Sequence, residues 1–392
     1  MQPSVRIRND IPECALFAER GIGGKDMNNF KKVGSDYECF PTFIPPYVLD
    51  NMAQAGIEEA KSTILQSQAF RENRIKTAKK MGLETAFGAV VPAGRAYVQV
   101  YDCETTTTRQ NKIVRDQEKS PGPTGDTAVD NAYDYVSSDR DFLNDKEIIR
   151  RNCLDNNGMD IICNVHYGVK YNNAFWDGEQ INFGDGDEIR FTNFAKSLDV
   201  IGHELGHGVV QYTANFEYHD QPGALHEHYA DVFGTVVSQW FENQATGKEV
   251  NWEEIAHSAD WLIGDEIMGP DLYGEALRSM SEPGTAYDNN ILGKDPQPDH
   301  MKDIYSGSGD LGGVHINSGI MNKAFYLTAI EIGTDQAALI WYNALQHLWP
   351  TAIFKDAVIE IVKAARILAK NNKVHKNATQ RVRTAFREVG LF

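Results

Sequence analysis

Cysteine is scarce in this 392-residue chain: Cys14, Cys39, Cys103, Cys153 and Cys163 are odd in number and scattered. Such spacing does not describe a disulfide framework, so packing has to hold the core, and a reducing birthplace is implied. Long apolar runs are also missing. No stretch approaches the ~18 residues of a membrane span, and the start, Met1 to Asp10, lacks the apolar segment of a secretory signal. The expectation is synthesis in the cytoplasm, with any release by a non-classical route. Positive charge is in deficit, 38 Lys and Arg against 55 Asp and Glu, for a net −17. That surface repels nucleic acid and anionic membranes and favours solubility. No internal repeat or low-complexity tract occurs. What is present is 42% hydrophobic residues, enough for a sizeable core, at a length that fits two or three domains of about 150 residues.

Three stretches differ in pattern. Residues 1 to about 60 are short, mixed and turn-rich around Cys39-Phe-Pro-Thr-Phe-Ile-Pro45-Pro46-Tyr47. They lead into a helical pattern from Leu49 that turns polar and basic towards Lys80. From about Gly94 to Lys196 strands are favoured: Ala96 to Tyr101 alternates, Thr105 to Thr108 is β-branched, and a helix interrupts near Ala128 to Phe142. From Leu198 to Phe392 helices take over, with apolar spacing at Leu198, Ile201, Leu205, Val209 and Tyr212 and again from Ala357 to Ala369. The predicted class is α+β: an appendage over 1–60, a β-rich half over 61–197 and a helical half over 198–392, with a cleft where the halves meet.

The junction carries chemistry. His203-Glu204-Leu-Gly-His207 places two imidazoles four residues apart, one turn above each other on one helix face, where both reach one metal ion. Glu227, twenty residues past His207, supplies a third ligand from a second helix. That leaves a tetrahedral zinc site open for water, as in catalytic rather than structural sites. Glu204, one residue round from His203, lies beside that water, and Asp231, one turn after Glu227, is placed to orient a ligand histidine through its second nitrogen. A metzincin would carry a third histidine where Thr213 stands. The pattern points to hydrolysis of peptide bonds. A cleft for that purpose has to hold an extended chain. Asn173-Ala-Phe-Trp-Asp177-Gly178-Glu-Gln-Ile181-Asn-Phe183 reads as a hairpin with a tight Asp-Gly turn, positive φ at both central residues. Its outer strand is either a free sheet edge that pairs with a substrate main chain or an ordinary surface hairpin.

These residues carry a family resemblance. With Asp155-Asn-Asn-Gly158, Val165-His-Tyr-Gly168, Asn173-Ala-Phe-Trp176, Leu277-Arg278-Ser-Met280 and Gly312-Gly-Val-His315-Ile-Asn-Ser-Gly319, the chain from about residue 94 onwards resembles the thermolysin-like neutral zinc metallopeptidases. It is most similar to their protealysin-like branch, and Pro45-Pro46-Tyr47 resembles that branch's short propeptide. The resemblance implies a two-domain peptidase with the active-site helix and cleft between a β-rich and a mainly helical half. It also implies a zymogen in which roughly the first 60 residues inhibit the site, acting on peptide or protein substrates.

Position by position, the resemblance assigns zinc to His203, His207 and Glu227 and makes Glu204 the general base. His315, paired with Asp310, and Tyr218 become hydrogen-bond donors to the developing oxyanion. On its own, His315 in a Gly-Gly-x-His loop reads as structural. Arg278 is matched to an arginine that binds a substrate carbonyl, its alternative being a buried ion pair, and Asn173 and Ala174 to groups that bind the peptide main chain. Phe191, Phe194, Val200, Ile263, Ile267 and Leu277 are matched to a hydrophobic pocket on the leaving-group side, so cleavage before Leu, Ile, Val or Phe is expected.

Departures from the family pattern bear on metals. Asp199, Asp260 and Asp265 match a double calcium site, but Ser238 and Leu262 replace two glutamates, so at most one calcium ion is implied. His226 stands where the family places asparagine, which alters the surroundings of a ligand histidine. His228 is expected to be an exposed helix residue. Cys39 raises a different idea, a thiolate on zinc that keeps the precursor latent, against the plainer one of a small apolar residue. Two other classes remain: a non-catalytic zinc protein that binds peptides, and a zinc aminopeptidase, although no loop for capturing a free amine is found.

Overall fold

A helix buried on nearly every side organises the molecule. In the computed structural model, which describes residues 41–68, 96–145, 148–246 and 251–392, helix α4 (Leu198–Gln211) buries every residue but its last. The sequence allows this because the polar residues on it either serve the site or are small, leaving no face that needs water. The elements before it are α1 (Pro46–Gln54), β1 (Val98–Asp102), β2 (Lys112–Asp116), α3 (Thr127–Leu143), β3 (Ile161–Val165), β4 (Ala174–Trp176) and β5 (Ile181–Phe183). Between α1 and β1, helix α2 runs over 58–68. Strand order is β2-β1-β3-β5-β4. β1 and β3 are parallel, joined through α3, and β4 closes one edge antiparallel to β5. After α4 come α5 (Asp220–Thr246) and α6 (Trp252–Ser258), then the paired two-residue strands β6 (Leu262–Ile263) and β7 (Arg278–Ser279). The chain ends in helices α7 (Asp310–Ile332), α8 (Thr334–Leu345), α9 (Phe354–Lys370) and α10 (Ala378–Glu388). Among the described residues no helix is long and apolar enough to cross a membrane.

Helices α4 and α5 touch through their backbones. A Cβ on Gly202 would lie 2.8 Å from the Cα of Gly234, and one on Gly234 would lie 2.4 Å from the carbonyl oxygen of Asp199. No rotamer relieves a clash with backbone. Gly234→Ala is therefore expected to push the two helices apart, lowering Tm by several degrees and weakening zinc uptake. Differential scanning fluorimetry with and without zinc checks both, and wild-type behaviour would show that the contact yields cheaply.

Up to Tyr212 the sequence reading departs from the structure in three places. Thr105 to Thr108 is a loop, not a strand: Glu104 and Thr105 take positive φ of 51° and 58°, and Thr106 donates from both its amide and its hydroxyl to the Cys103 carbonyl. Local hydrogen bonding there overrides β-branched propensity. The β4–β5 connection is four residues long rather than two, with positive φ at Gly178 only, 98°. Asp177 instead accepts from the amides of Glu179 and Gln180, both at 3.0 Å. Tyr212, read as part of the apolar stripe of α4, lies just past its end and is exposed.

His166 ties the sheet to the start of α3. Its Nδ1 bonds Asp185 at 2.9 Å and its Nε2 meets Asp126 at 3.1 Å. The Asp185 hydrogen bond, opposed by burial, pushes its pKa up to about 9. A raised folded-state pKa gives stability that is complete below the unfolded value of about 6.5 and is lost as pH rises through 9. His166→Asn, which suits the positive φ of 53°, should destabilise most at pH 6, the deficit shrinking towards pH 9.5 in urea titrations. A pH-independent deficit would refute the charge argument.

Candidate metal centre and cleft

His203 and His207 project from the buried face of α4 towards Glu227 on the second turn of α5. Among the described residues, His203, His207 and Glu227 alone bring three ligand atoms within 4.8 Å of one another, all buried. Nε2 of His203 is 3.5 Å from Glu227 Oε2, and Nε2 of His207 is 3.8 Å from Oε1. Both Nε2 atoms and Glu227 Oε2 have no hydrogen-bond partner in the protein. Burying three such atoms without partners is costly, and a divalent cation relieves all of them at once. Burial, then neighbouring His203, holds the His207 pKa well below the usual value, which keeps the imidazole neutral as a ligand. The donor set, two imidazoles and a carboxylate, fits zinc with an open position.

Glu204 is wholly buried beside these ligands, its carboxylate facing the backbone of Trp176. Burial first, then the Glu227 carboxylate, raises its pKa well above the ordinary range, the direction that suits a carboxylate which has to take a proton and give it back.

Asp231, one turn beyond Glu227, is the hub behind the ligands. Its Oδ1 accepts from His203 Nδ1 at 2.8 Å, both its oxygens accept from Arg278 at 2.9 to 3.2 Å, and its Oδ2 accepts from Asn322 Nδ2 at 2.8 Å. Burial works to raise its pKa, but Arg278 and His203 hold it far below the usual carboxylate range. Arg278 forms the buried ion pair through Nε and Nη2 with Asp231, while its Nη1 donates to the Phe43 carbonyl at 3.2 Å.

On the other side, α7 begins irregularly. Asp310, Leu311, Gly312 and Gly313 all have positive φ, and a Cβ on Gly312 would lie 2.1 Å from Asp220 Oδ1, so glycine is needed there. The bend turns the Asp310 carboxylate back over the helix start, where it accepts from the amides of His315 at 2.7 Å and Ile316 at 3.1 Å and from His315 Nδ1 at 2.6 Å. His315 Nε2 consequently faces the cleft, 3.3 Å from the Tyr218 hydroxyl. Burial opposes its protonation, but Glu227 and Asp310 push its pKa up to about 9. Tyr218 also bonds Glu227 Oε1.

Between these two sides runs residue 41 to 45 of the same chain. Phe43 donates to the Ala174 carbonyl at 3.0 Å, and Ile44 exchanges hydrogen bonds with the Asn173 side chain at 2.8 and 3.2 Å. The segment therefore lies along the outer edge of β4, the last strand of the sheet. The Phe43 ring sits 5.2 Å from the His203 ring and so close to Gly264 that a Cβ there would be 2.9 Å from it. Leu277 Cδ1 adjoins the same spot, at 3.0 Å. Phe191, Phe194, Val200, Ile263, Ile267 and Leu277 are all buried.

Other predicted residues fall elsewhere. His228 is fully buried, not exposed: it bonds Asn322 at 2.7 Å and accepts from Trp341 at 2.8 Å, and burial lowers its pKa to about 4. The single histidine gave no hint that α7 and α8 would cover that face. The His226 ring lies 5.0 Å from that of His207, tilted by 59°, and His207 Nδ1 has no hydrogen-bond partner. Asp199 is occupied, accepting from Val200 and Gly264 at 2.7 Å each and from Ser197, and Asp260 accepts from Leu262 at 3.1 Å. Cys39 lies outside the described residues. Sequence reasoning missed Asn322 and the roles of Thr42, Phe43 and Ile44. The available signals were a buried-side amide in a largely apolar helix and an apolar run just ahead of two prolines.

A buried His-Glu-x-x-His helix, a third carboxylate ligand on its neighbour and an edge strand beside them define a zinc metalloendopeptidase. Residues 73–211 match the thermolysin metallopeptidase catalytic domain and residues 214–391 its alpha-helical domain. The chain belongs to the thermolysin metallopeptidase family. It is 43% identical to Protease PrtS of Photorhabdus sp. (strain Az29) over 312 residues, 77% of this chain and 80% of that one. It is 41% identical to an extracellular metalloprotease of Pectobacterium carotovorum subsp. carotovorum, again over 77% of this chain and 83% of that one. Among solved structures it matches the precursor of protealysin, a metalloproteinase from Serratia proteamaculans. That match has a TM-score of 0.75 and 36% identity, covering 90% of this chain and 100% of that one.

Proposed function

We propose that this enzyme cuts peptide bonds on the N-terminal side of bulky hydrophobic residues and is made latent by its own first 60 or so residues. The carrying observation is the convergence of three partnerless ligand atoms, with Glu204 beside them, on a cleft whose edge strand already holds an extended chain. Zinc held by His203, His207 and Glu227 would polarise the scissile carbonyl and lower the pKa of water to about 7. Glu204 takes the proton of the attacking water and passes it to the leaving nitrogen. His315 and Tyr218 donate to the oxyanion, with Asp310 fixing the His315 tautomer. Asn173, Ala174 and Arg278 hold the substrate main chain in register. Phe191, Phe194, Val200, Ile263 and Leu277 form the pocket that selects large apolar side chains.

In this reading the prosegment of residues 1–60 acts on a catalytic unit of two domains, 61–197 and 198–392. Asp199, Asp260 and Asp265 hold at most one calcium ion. Support comes from the Asp265 pKa, pushed up to about 6 by burial and by Asp199 and Asp260, a repulsion that a cation relieves. Casein and a peptide blocked at both ends should be cut before Leu, Ile, Val or Phe, cleavage should stop on chelation, and zinc should restore it. An aminopeptidase would need a free amino terminus. A zinc-loaded protein that cuts nothing would leave only a binder.

A further inference from the structure

The segment in the cleft lies in a way that singles out one bond. Thr42 presents its carbonyl oxygen to His315 Nε2 at 3.1 Å. The next residue, Phe43, donates its amide to Ala174 at 3.0 Å and offers its carbonyl to Arg278 Nη1 at 3.2 Å. Ile44 then closes its pair of bonds with Asn173. Of the three carbonyls, the one before the phenylalanine meets the proposed oxyanion donor, and the two after it meet the groups proposed to hold the leaving side. The Phe43 ring, fully buried against Leu277 and Gly264, is in the pocket proposed to select the residue after the cut. Chain direction, register and side chain all agree with a substrate.

We propose that Thr42–Phe43 is a substrate bond of the chain's own site, cut within the same molecule as its first turnover. This rests on the peptidase reading above. Water adds through oxygen to the Thr42 carbonyl carbon, the bond from that carbon to the Phe43 nitrogen breaks, Thr42 becomes a carboxylate and Phe43 leaves as an amine carrying the transferred proton. The cut does not open the cleft. Phe43 keeps its ring in the pocket and Ile44 keeps its two bonds, so the stretch from residue 43 onwards blocks the site until it dissociates. Pro45 and Pro46 add to this. Neither has an N–H to pair further along the edge, and Pro46 starts α1, which anchors the new end.

The test uses the full chain, purified metal-free and then given zinc over a hundredfold range of protein concentration, followed by intact mass and N-terminal sequencing. The expected result is a fragment ending at Thr42, a new terminus at Phe43 and a rate constant that does not change with dilution. Glu204→Gln should remain intact, and Phe43→Ala should slow the cut by about ten-fold or more. A second readout needs no activity. In metal-free protein the Phe43 and Ile44 amides should resist hydrogen exchange, and Asn173→Ala should release that of Ile44. Casein cleavage with Thr42–Phe43 intact, a first cut elsewhere, a rate that rises with concentration, or unprotected Phe43 and Ile44 amides would each overturn the proposal while leaving the peptidase reading in place. Failure to cut casein as well, with zinc bound, would overturn both.

Discussion

Glu204→Gln is expected to lower casein cleavage by about 10²- to 10⁴-fold while leaving zinc stoichiometry unchanged. The amide fills the same buried space and cannot take a proton. Glu204 is neither one of the three converging ligands nor hydrogen-bonded to any of them, so the ligand set survives the change. Metal analysis and peptide kinetics on one preparation separate the two effects. Activity within a few-fold of wild type would remove Glu204 from the reaction, whereas lost zinc would make it part of the metal site.

Asp231→Asn is expected to act on two properties at once. The substitution leaves the Arg278 guanidinium buried opposite a neutral group, and breaking a buried pair in this way costs about 3–5 kcal/mol. It also weakens the hydrogen bond that fixes His203, and losing such an outer partner typically costs 10- to 100-fold in metal affinity. Both should be measured in the Glu204→Gln background, where self-digestion does not interfere: urea unfolding for the first, chelator competition for the second. Unchanged unfolding would mean that solvent or a neighbour compensates Arg278. Unchanged zinc affinity would mean that α4 alone sets the orientation of His203.

What the sequence made legible was short-range. His203, Glu204 and His207 are tied by helical periodicity, and Glu227 with Asp231 by the same rule on the next helix, so the ligand set could be written down with its geometry. The β-rich to helical order was visible for the same reason. Long-range partners were not. Nothing near Asp231 announces Asn322, which arrives from α7 across 91 positions, and nothing near His228 announces Trp341, 113 positions away. The Thr105–Thr108 misreading is a local case of the same limit, because a side-chain bond within the turn outweighs propensity. His315 stood between these extremes: only the bend through Asp310 to Gly313, legible as two glycines but not as a direction, turns its ring into the cleft.

The β4 edge has one further consequence. Phe43 occupies the Ala174 carbonyl on that edge and Ile44 occupies the Asn173 side chain beside it. If they left, the apolar strand Ala174-Phe-Trp176 would stand open to any extended chain. An enzyme freed of its leading segment, as proposed above, would then need dilution or an occupied cleft, because the backbone that binds substrate would also pair with other chains.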